Sequence, residues 1–375
     1  MNFNFHYKGV DVNRLTNIFS SRWGVIGTGL FIGVLAALLQ KSGNPGNMGV
    51  CVACFIRDIT GSLGLHRTDI VQYLRPEIPG FVLGSFIAAL IFKDFKPRAG
   101  SAPMVRFILG AFAMIGALVF LGCPWRAMLR LSGGDWNALF GIAGLVAGIG
   151  AGSFFLKHGY DLGRSQKTHA AAGLVLPAIA AAFLLLILLF PGTSGQGQSG
   201  ILFYSVKGPG SLHAPVLISL AVGLVIGFVA QRSRFCTMGA IRDLILFRHT
   251  HLLSGVIAFV VAAFAMNLVL GQFKPGFEGQ PVAHTMSLWN FGGMVLAGFA
   301  FALAGGCPGR QVFLAGEGDG DATVFVLGMG AGASFSHNFG LASSAKGVGP
   351  HGIAAVVIGL VICIIIGFTM IRRTA

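Results

Sequence analysis

Charge is what this sequence lacks most: Asp, Glu, Lys and Arg make up 10% of its 375 residues, where a soluble domain carries about 25%. Beside 54% hydrophobic residues and a mean hydropathy of +0.79, that scarcity excludes water as the main solvent. The net charge of +14 would suggest nucleic acid in a soluble chain. Here Lys and Arg fall between apolar segments without an aromatic-interleaved basic face, so nucleic acid is excluded as a partner and the charges are read as topology determinants. Six cysteines do not form a secreted disulfide framework. No nucleotide-binding loop is present, which leaves no ATPase of the chain's own. His66, His169, His249, His251 and His337 lie near polar connections without metal-ligand spacing, and neither metal nor cofactor is expected. No small-residue cleavage site follows the apolar stretch Trp23 to Leu39, so it reads as a retained helix.

What is present is a series of apolar stretches long enough to cross about 30 Å of hydrocarbon at about 1.5 Å per residue. Segments are expected near 23–40, 78–93, 104–122, 137–157, 170–190, 214–231, 252–271, 289–306, 321–335 and 352–371. The fold class is therefore all-α, a polytopic membrane protein of about nine or ten transmembrane helices. With ten crossings both termini share a side. That side takes the larger part of the 26 Lys and Arg residues, from Lys8 and Arg14 to Arg372 and Arg373, and should be cytoplasmic. The opposite side holds Arg57, Arg67, Arg75, Arg126 and Arg130 among others. Its main offender, 41–78, contains glycine, proline and two cysteines, as a segment folding back into the protein would.

Comparison of the chain with itself shows a duplication. Cys51-Val-Ala-Cys-Phe-Ile-Arg57-Asp58 aligns with Cys236-Thr-Met-Gly-Ala-Ile-Arg242-Asp243. Further along, Gly122-Cys123-Pro124-Trp125-Arg126 aligns with Gly306-Cys307-Pro308-Gly309-Arg310, and Gly148-x-Gly150-Ala-Gly152 with Gly328-x-Gly330-Ala-Gly332. The three matches keep their order while their offset drifts slightly, as expected of an old duplication. The organisation expected is a cytoplasmic segment 1–22, a first repeat 23–190, a linker 191–213 and a second repeat 214–375. Five crossings per repeat make them inverted in topology, with short re-entrant or broken helices. Cys51 and Cys123 would then lie on the outer approach, Cys236 and Cys307 on the inner one, converging near the midplane.

In Gly-Cys-Pro-x-Arg the glycine allows a sharp turn and the proline suits the first helical position. The cysteine is left at the helix cap, where free N–H groups and the positive dipole end meet an anion. Arg126 and Arg310 add charge and donors. A thiol is soft and polarizable, so a row of them suits a solute with terminal sulfur or selenium better than a hard oxyanion. Cys54, opposite Gly239 in the repeat, is a further candidate for the path. Cys363, in an aliphatic run, reads as packing. The adjacent charges Arg57-Asp58 and Arg242-Asp243 read first as pairs within the protein, with solute binding by Arg57 and Arg242 as the alternative. The glycine stretches read as close helix packing.

Gln231-Arg-Ser-Arg-Phe-Cys236-Thr-Met-Gly-Ala-Ile-Arg242-Asp243 and Ala304-Gly-Gly-Cys307-Pro-Gly-Arg-Gln-Val-Phe-Leu-Ala-Gly316-Glu317-Gly318 resemble the two signatures of the YeeE/YedE sulfur-transport family. With the repeated first half, the resemblance covers nearly the whole chain. It implies an hourglass-shaped inner-membrane protein that takes up thiosulfate, with Cys51, Cys123, Cys236 and Cys307 passing the substrate along through thiol–sulfur hydrogen bonds. Cys-Pro-x-Arg in both halves is similar to the selenium-transporter branch, so a selenium analogue stands beside thiosulfate as substrate. A small cytoplasmic sulfur carrier of the sulfurtransferase-like type is a further partner the resemblance implies. The leading expectation is a permease or channel-like importer, not an enzyme. The alternatives are a membrane sulfurtransferase with a persulfide on Cys236 or Cys307, and a scaffold docking a sulfur carrier.

Overall fold

The computed structural model describes residues 18–192 and 197–372; most of the expected N-terminal segment, with Lys8 and Arg14, and also Arg373 lie outside the described residues. The chain is an all-α polytopic membrane protein. Its helices are α1 Arg22–Lys41, α2 Val52–Ser62, α3 Glu77–Ile91, α4 Pro103–Phe120, α5 Pro124–Ser132, α6 Asn137–Lys157, α7 Ala170–Gly173, α8 Val175–Leu189, α9 Val216–Ser233, α10 Thr237–Phe247, α11 His251–Val269, α12 Ser287–Ala304, α13 Pro308–Gly316, α14 Gly320–Asn338 and α15 Gly352–Thr369. Seven of these, three of them continued by a short helix, are long and apolar enough to cross a membrane, and α3 and α8 are shorter apolar helices. Each of the ten expected segments coincides with a helix. The expected segment 170–190 is interrupted at Leu174, which caps both α7 and α8, and 321–335 extends to the 19 residues of α14.

Loops collect at two ends of the bundle. At one end β1 Arg98–Ala99 pairs with β2 Gln166–Lys167, Arg98 pairs with Asp319, Asp94 with Arg232, and Tyr160 bridges to Ile371. At the other, Asn44 accepts from the Ala214 N–H, Arg75 donates to Leu212 and Pro209, and Asp135 bridges to Gly276.

The tightest helix pairs are α1 with α11, α3 with α9, α4 with α14 and α6 with α12. Exchanging each helix for its repeat counterpart turns the first pair into the second and the third into the fourth. Glycine makes these approaches possible, because without a side chain two backbones come within contact. A Cβ on Gly144 would lie 2.2 Å from the Phe291 carbonyl, and one on Gly328 the same distance from that of Phe107. Gly148 meets the Val295 carbonyl at 2.1 Å and Gly332 that of Ala111 at 2.5 Å. These matched contacts continue the register that sets Cys123 opposite Cys307. The alignment of the glycine stretches is therefore corrected: Gly144 and Gly148, not Gly148 and Gly152, stand opposite Gly328 and Gly332. Gly150 faces open space and takes no part in the packing.

Candidate functional site

Four short helices, α2, α5, α10 and α13, begin inside the bundle, and each is capped by a cysteine. Cys51 caps α2 and its sulfur accepts the Cys54 N–H at 3.4 Å. Cys236 caps α10 and accepts the Gly239 N–H at 3.3 Å. Cys123 and Cys307 cap α5 and α13 in extended backbone, each followed by proline at the first helical position. The turn before them is built the same way in both halves. Leu121 ends α4 at φ 66 and Gly305 ends α12 at φ 85, in the left-handed region that stops a helix.

The sulfur atoms meet two by two. Cys51 Sγ lies 3.8 Å from Cys123 Sγ, and Cys236 Sγ lies 3.7 Å from Cys307 Sγ. All four residues are buried. Each pair therefore sits where two helix N-termini converge, with free N–H groups and positive dipole ends directed at polarizable sulfur. The expected convergence of four thiols takes the form of two contacts, each within one half. Cys54 adds a third sulfur to the first pair's surroundings, with Sγ 3.9 Å from the Leu121 carbonyl. Cys363 lies on α15, buried and apart from these contacts.

The two arginines after the prolines differ. Arg126, fully buried, donates to the carbonyls of Asn47 at 3.3 Å, Pro281 at 3.3 Å and Val282 at 3.0 Å. It also donates to Leu121 and reaches the Cys54 sulfur at 3.6 Å. It has no acidic partner among these contacts, so its charge is uncompensated beside the first thiols. Arg310 instead pairs with Glu317 at 3.3 Å. The candidates Arg57 and Arg242 are both engaged internally. Arg57 binds Asp58 at 2.6 Å, and the second Asp58 oxygen takes Arg75 at 2.8 Å, all three buried. Arg242 binds Asp243 at 2.8 Å with both side chains partly exposed.

Sequence reasoning misses several residues here. In sequence Arg75 and Arg130 are only basic residues on the outer side, yet both are fully buried, Arg130 against Asp135 at 2.6 Å. With Arg57 and Arg126 they account for four of the charges that weaken the topological bias. Trp125, in sequence only a residue inside a motif, lies at the centre of a cluster with Phe81, Phe235, Phe259 and Phe313, ring centroids 5.8–6.2 Å away. A separate cavity of about 330 Å³, lined by apolar residues such as Ile59, Ile78, Phe183 and Val312, touches none of the thiols.

Membrane-length helices, with buried, cysteine-capped helix starts among them, define a multi-pass membrane protein. The family described as Sulphur transport matches residues 5–151 and 232–371, and the chain belongs to that family. It is 32% identical over 103 residues to the thiosulfate transporter TsuA of Spirochaeta thermophila, covering 26% of this chain and 29% of that protein. It is 29% identical over 163 residues to an L-asparagine permease of Salmonella typhimurium, covering 37% of this chain and 32% of that protein. The chain thus spans about a third of the length of each relative it matches.

Proposed function

We propose that this protein carries a small, soft, sulfur-containing anion across the membrane, thiosulfate or its selenium analogue, by way of the two thiol pairs. The observation that carries the reading is the pairing itself: two buried sulfur contacts, each at two converging helix N-termini, with the uncompensated guanidinium of Arg126 beside one of them. A sulfur-tipped anion finds dipoles and charge for its negative end and polarizable S–H groups for its sulfur. The exchange symmetry of the helix pairs supports two oppositely inserted halves, 23–190 and 214–375, related as in many secondary transporters. On this reading the end bearing Arg98, Lys167 and Arg232 faces the cytoplasm of a cell whose inner membrane holds the protein, and a small sulfur carrier there would collect the solute. L-asparagine, named for one relative, brings an ammonium group as well. The carboxylates near the thiols are already taken, Asp58 by Arg57 and Arg75 and Glu317 by Arg310.

Uptake into liposomes containing the purified chain tests this. Radiolabelled thiosulfate should enter saturably, with unlabelled selenosulfate competing and L-asparagine not. Uptake no faster than into protein-free liposomes would reject the reading.

A further inference from the structure

Of the buried polar atoms near the thiols, Thr237 Oγ1, Gln311 Oε1 and the indole N–H of Trp125 have no hydrogen-bond partner among the described residues, and of the three only the indole N–H can do nothing but donate. Trp125 is 1% exposed. A buried donor left unpaired lowers stability, and an apolar ring of similar shape would avoid the cost. The ring belongs to α5, two residues after Cys123. It nevertheless reaches the other half. A Cβ on Gly309, in the first turn after Cys307 and Pro308, would lie 3.1 Å from Trp125 Cζ2 and 3.3 Å from Cε2. Both atoms belong to the six-membered ring of the indole and Nε1 is not among the atoms nearest that position, so the Cys307-capped helix packs on the ring and leaves the N–H uncontacted. Phe235, the residue before Cys236, packs against the same ring with centroids 5.8 Å apart.

The repeat makes this placement more pointed. In the register that sets Cys123 opposite Cys307, the counterpart of Trp125 is Gly309, and the tryptophan occupies the space that the missing side chain leaves. One indole, two residues after Cys123, therefore packs against both the residue before Cys236 and the first turn after Cys307, with Phe81, Phe259 and Phe313 around it.

We infer that Trp125 is the partition between the two thiol pairs and that its indole N–H is a hydrogen-bond donor reserved for the anion that passes between them. The inference rests on the transport reading above. The anion supplies the acceptor that the protein does not, and the flat ring turns aside without breaking a hydrogen bond of its own. An aromatic wall on the path also disfavours hard, strongly hydrated oxyanions, which lose more on leaving water than a soft anion does.

The test uses the full chain in liposomes. Trp125→Phe keeps the wall and removes the donor, so the KM for thiosulfate should rise about tenfold, as expected when a hydrogen bond to a charged group is lost, with the maximal rate within about threefold. Trp125→Ala removes the wall, and radiolabelled sulfate, excluded by the parent, should enter. A third measurement needs no change at position 125. In a chain with Trp23, Trp136 and Trp289 replaced by Phe, thiosulfate in detergent should alter the emission of the remaining indole. An unchanged KM in Trp125→Phe or an unresponsive emission overturns the donor, and continued exclusion of sulfate by a folded Trp125→Ala overturns the partition. If the parent takes up no thiosulfate, the transport reading itself has failed. If the parent transports and Cys307→Ala does not while Trp125→Phe behaves as the parent, only the present inference falls.

Discussion

Replacing Cys307 by Ala is expected to lower thiosulfate uptake by an order of magnitude or more, the equivalent of at least about 1.4 kcal/mol, with Cys51→Ala, Cys123→Ala and Cys236→Ala behaving alike. Each removes one member of a sulfur contact of 3.7–3.8 Å. What is lost is the polarizable donor at a helix N-terminus rather than a large piece of the core. Cys363→Ala is the control, since that thiol is equally buried on α15 but outside either contact, and uptake should stay near the parent value. Within a pair the effects should not add, because the two sulfur atoms act as one unit; Cys51→Ala with Cys123→Ala should cost little more than either alone. Serine separates softness from hydrogen bonding. It keeps a hydroxyl donor of similar size but presents a hard oxygen, so retained uptake in Cys307→Ser would show that sulfur itself is dispensable. Rates in liposomes loaded with equal amounts of each variant decide all of these.

The largest effect on stability is expected at Asp58. Its carboxylate accepts Arg57 Nε at 2.9 Å and Nη2 at 2.6 Å on one oxygen and Arg75 Nε at 2.8 Å on the other. Arg75 in turn ties the connection after α2 to the carbonyls of Pro209 and Leu212. Asp58→Asn leaves two buried guanidinium groups without an anion, and removing one side of a buried ion pair costs about 3–5 kcal/mol. Asp243→Asn is the matched comparison from the second half. There the Arg242–Asp243 pair is partly exposed, 32% and 23% for the two side chains, and the loss should stay at about 1 kcal/mol or below. Thermal unfolding in detergent should therefore separate two substitutions that the repeat alignment makes equivalent. Similar shifts for both would mean that the Asp58 triad is not what holds this end together.

Much of this was legible in the residues. Apolar runs placed the helices because a membrane demands about 20 apolar residues in a row. The Cys-Pro spacing placed the caps because glycine and proline act locally, before any tertiary contact. The sulfur pairing was half-visible: Cys51 to Cys123 and Cys236 to Cys307 are separated by 72 and 71 residues, which marks equivalence between halves but not contact within each. What could not be read depends on the third dimension. Glycine spacing on a helix repeats every few residues, so a slip of one helical turn between Gly148 and Gly144 leaves a plausible alignment, and only the partner carbonyls fix the register. Arg75, Arg126 and Arg130 look like loop charges in sequence, yet the bundle buries them. Their partners, Asp58, Asp135 and a set of carbonyls, lie 5 to 156 residues away. Trp125 stands out only once Gly309 is seen opposite it.

The proposed transport turns on whether the solute moves through the two thiol contacts. The most direct measurement is mild oxidation of the protein in thiosulfate-transporting liposomes, in a chain with Cys54 and Cys363 replaced by Ala. Sulfur atoms already at 3.7–3.8 Å need approach by less than about 2 Å to bond. Removal of two hydrogens per pair by the added oxidant should yield Cys51–Cys123 and Cys236–Cys307 links by peptide mapping. Thiosulfate uptake should cease with them and return on reduction. Links formed in full with uptake unchanged would contradict passage of the solute through these contacts.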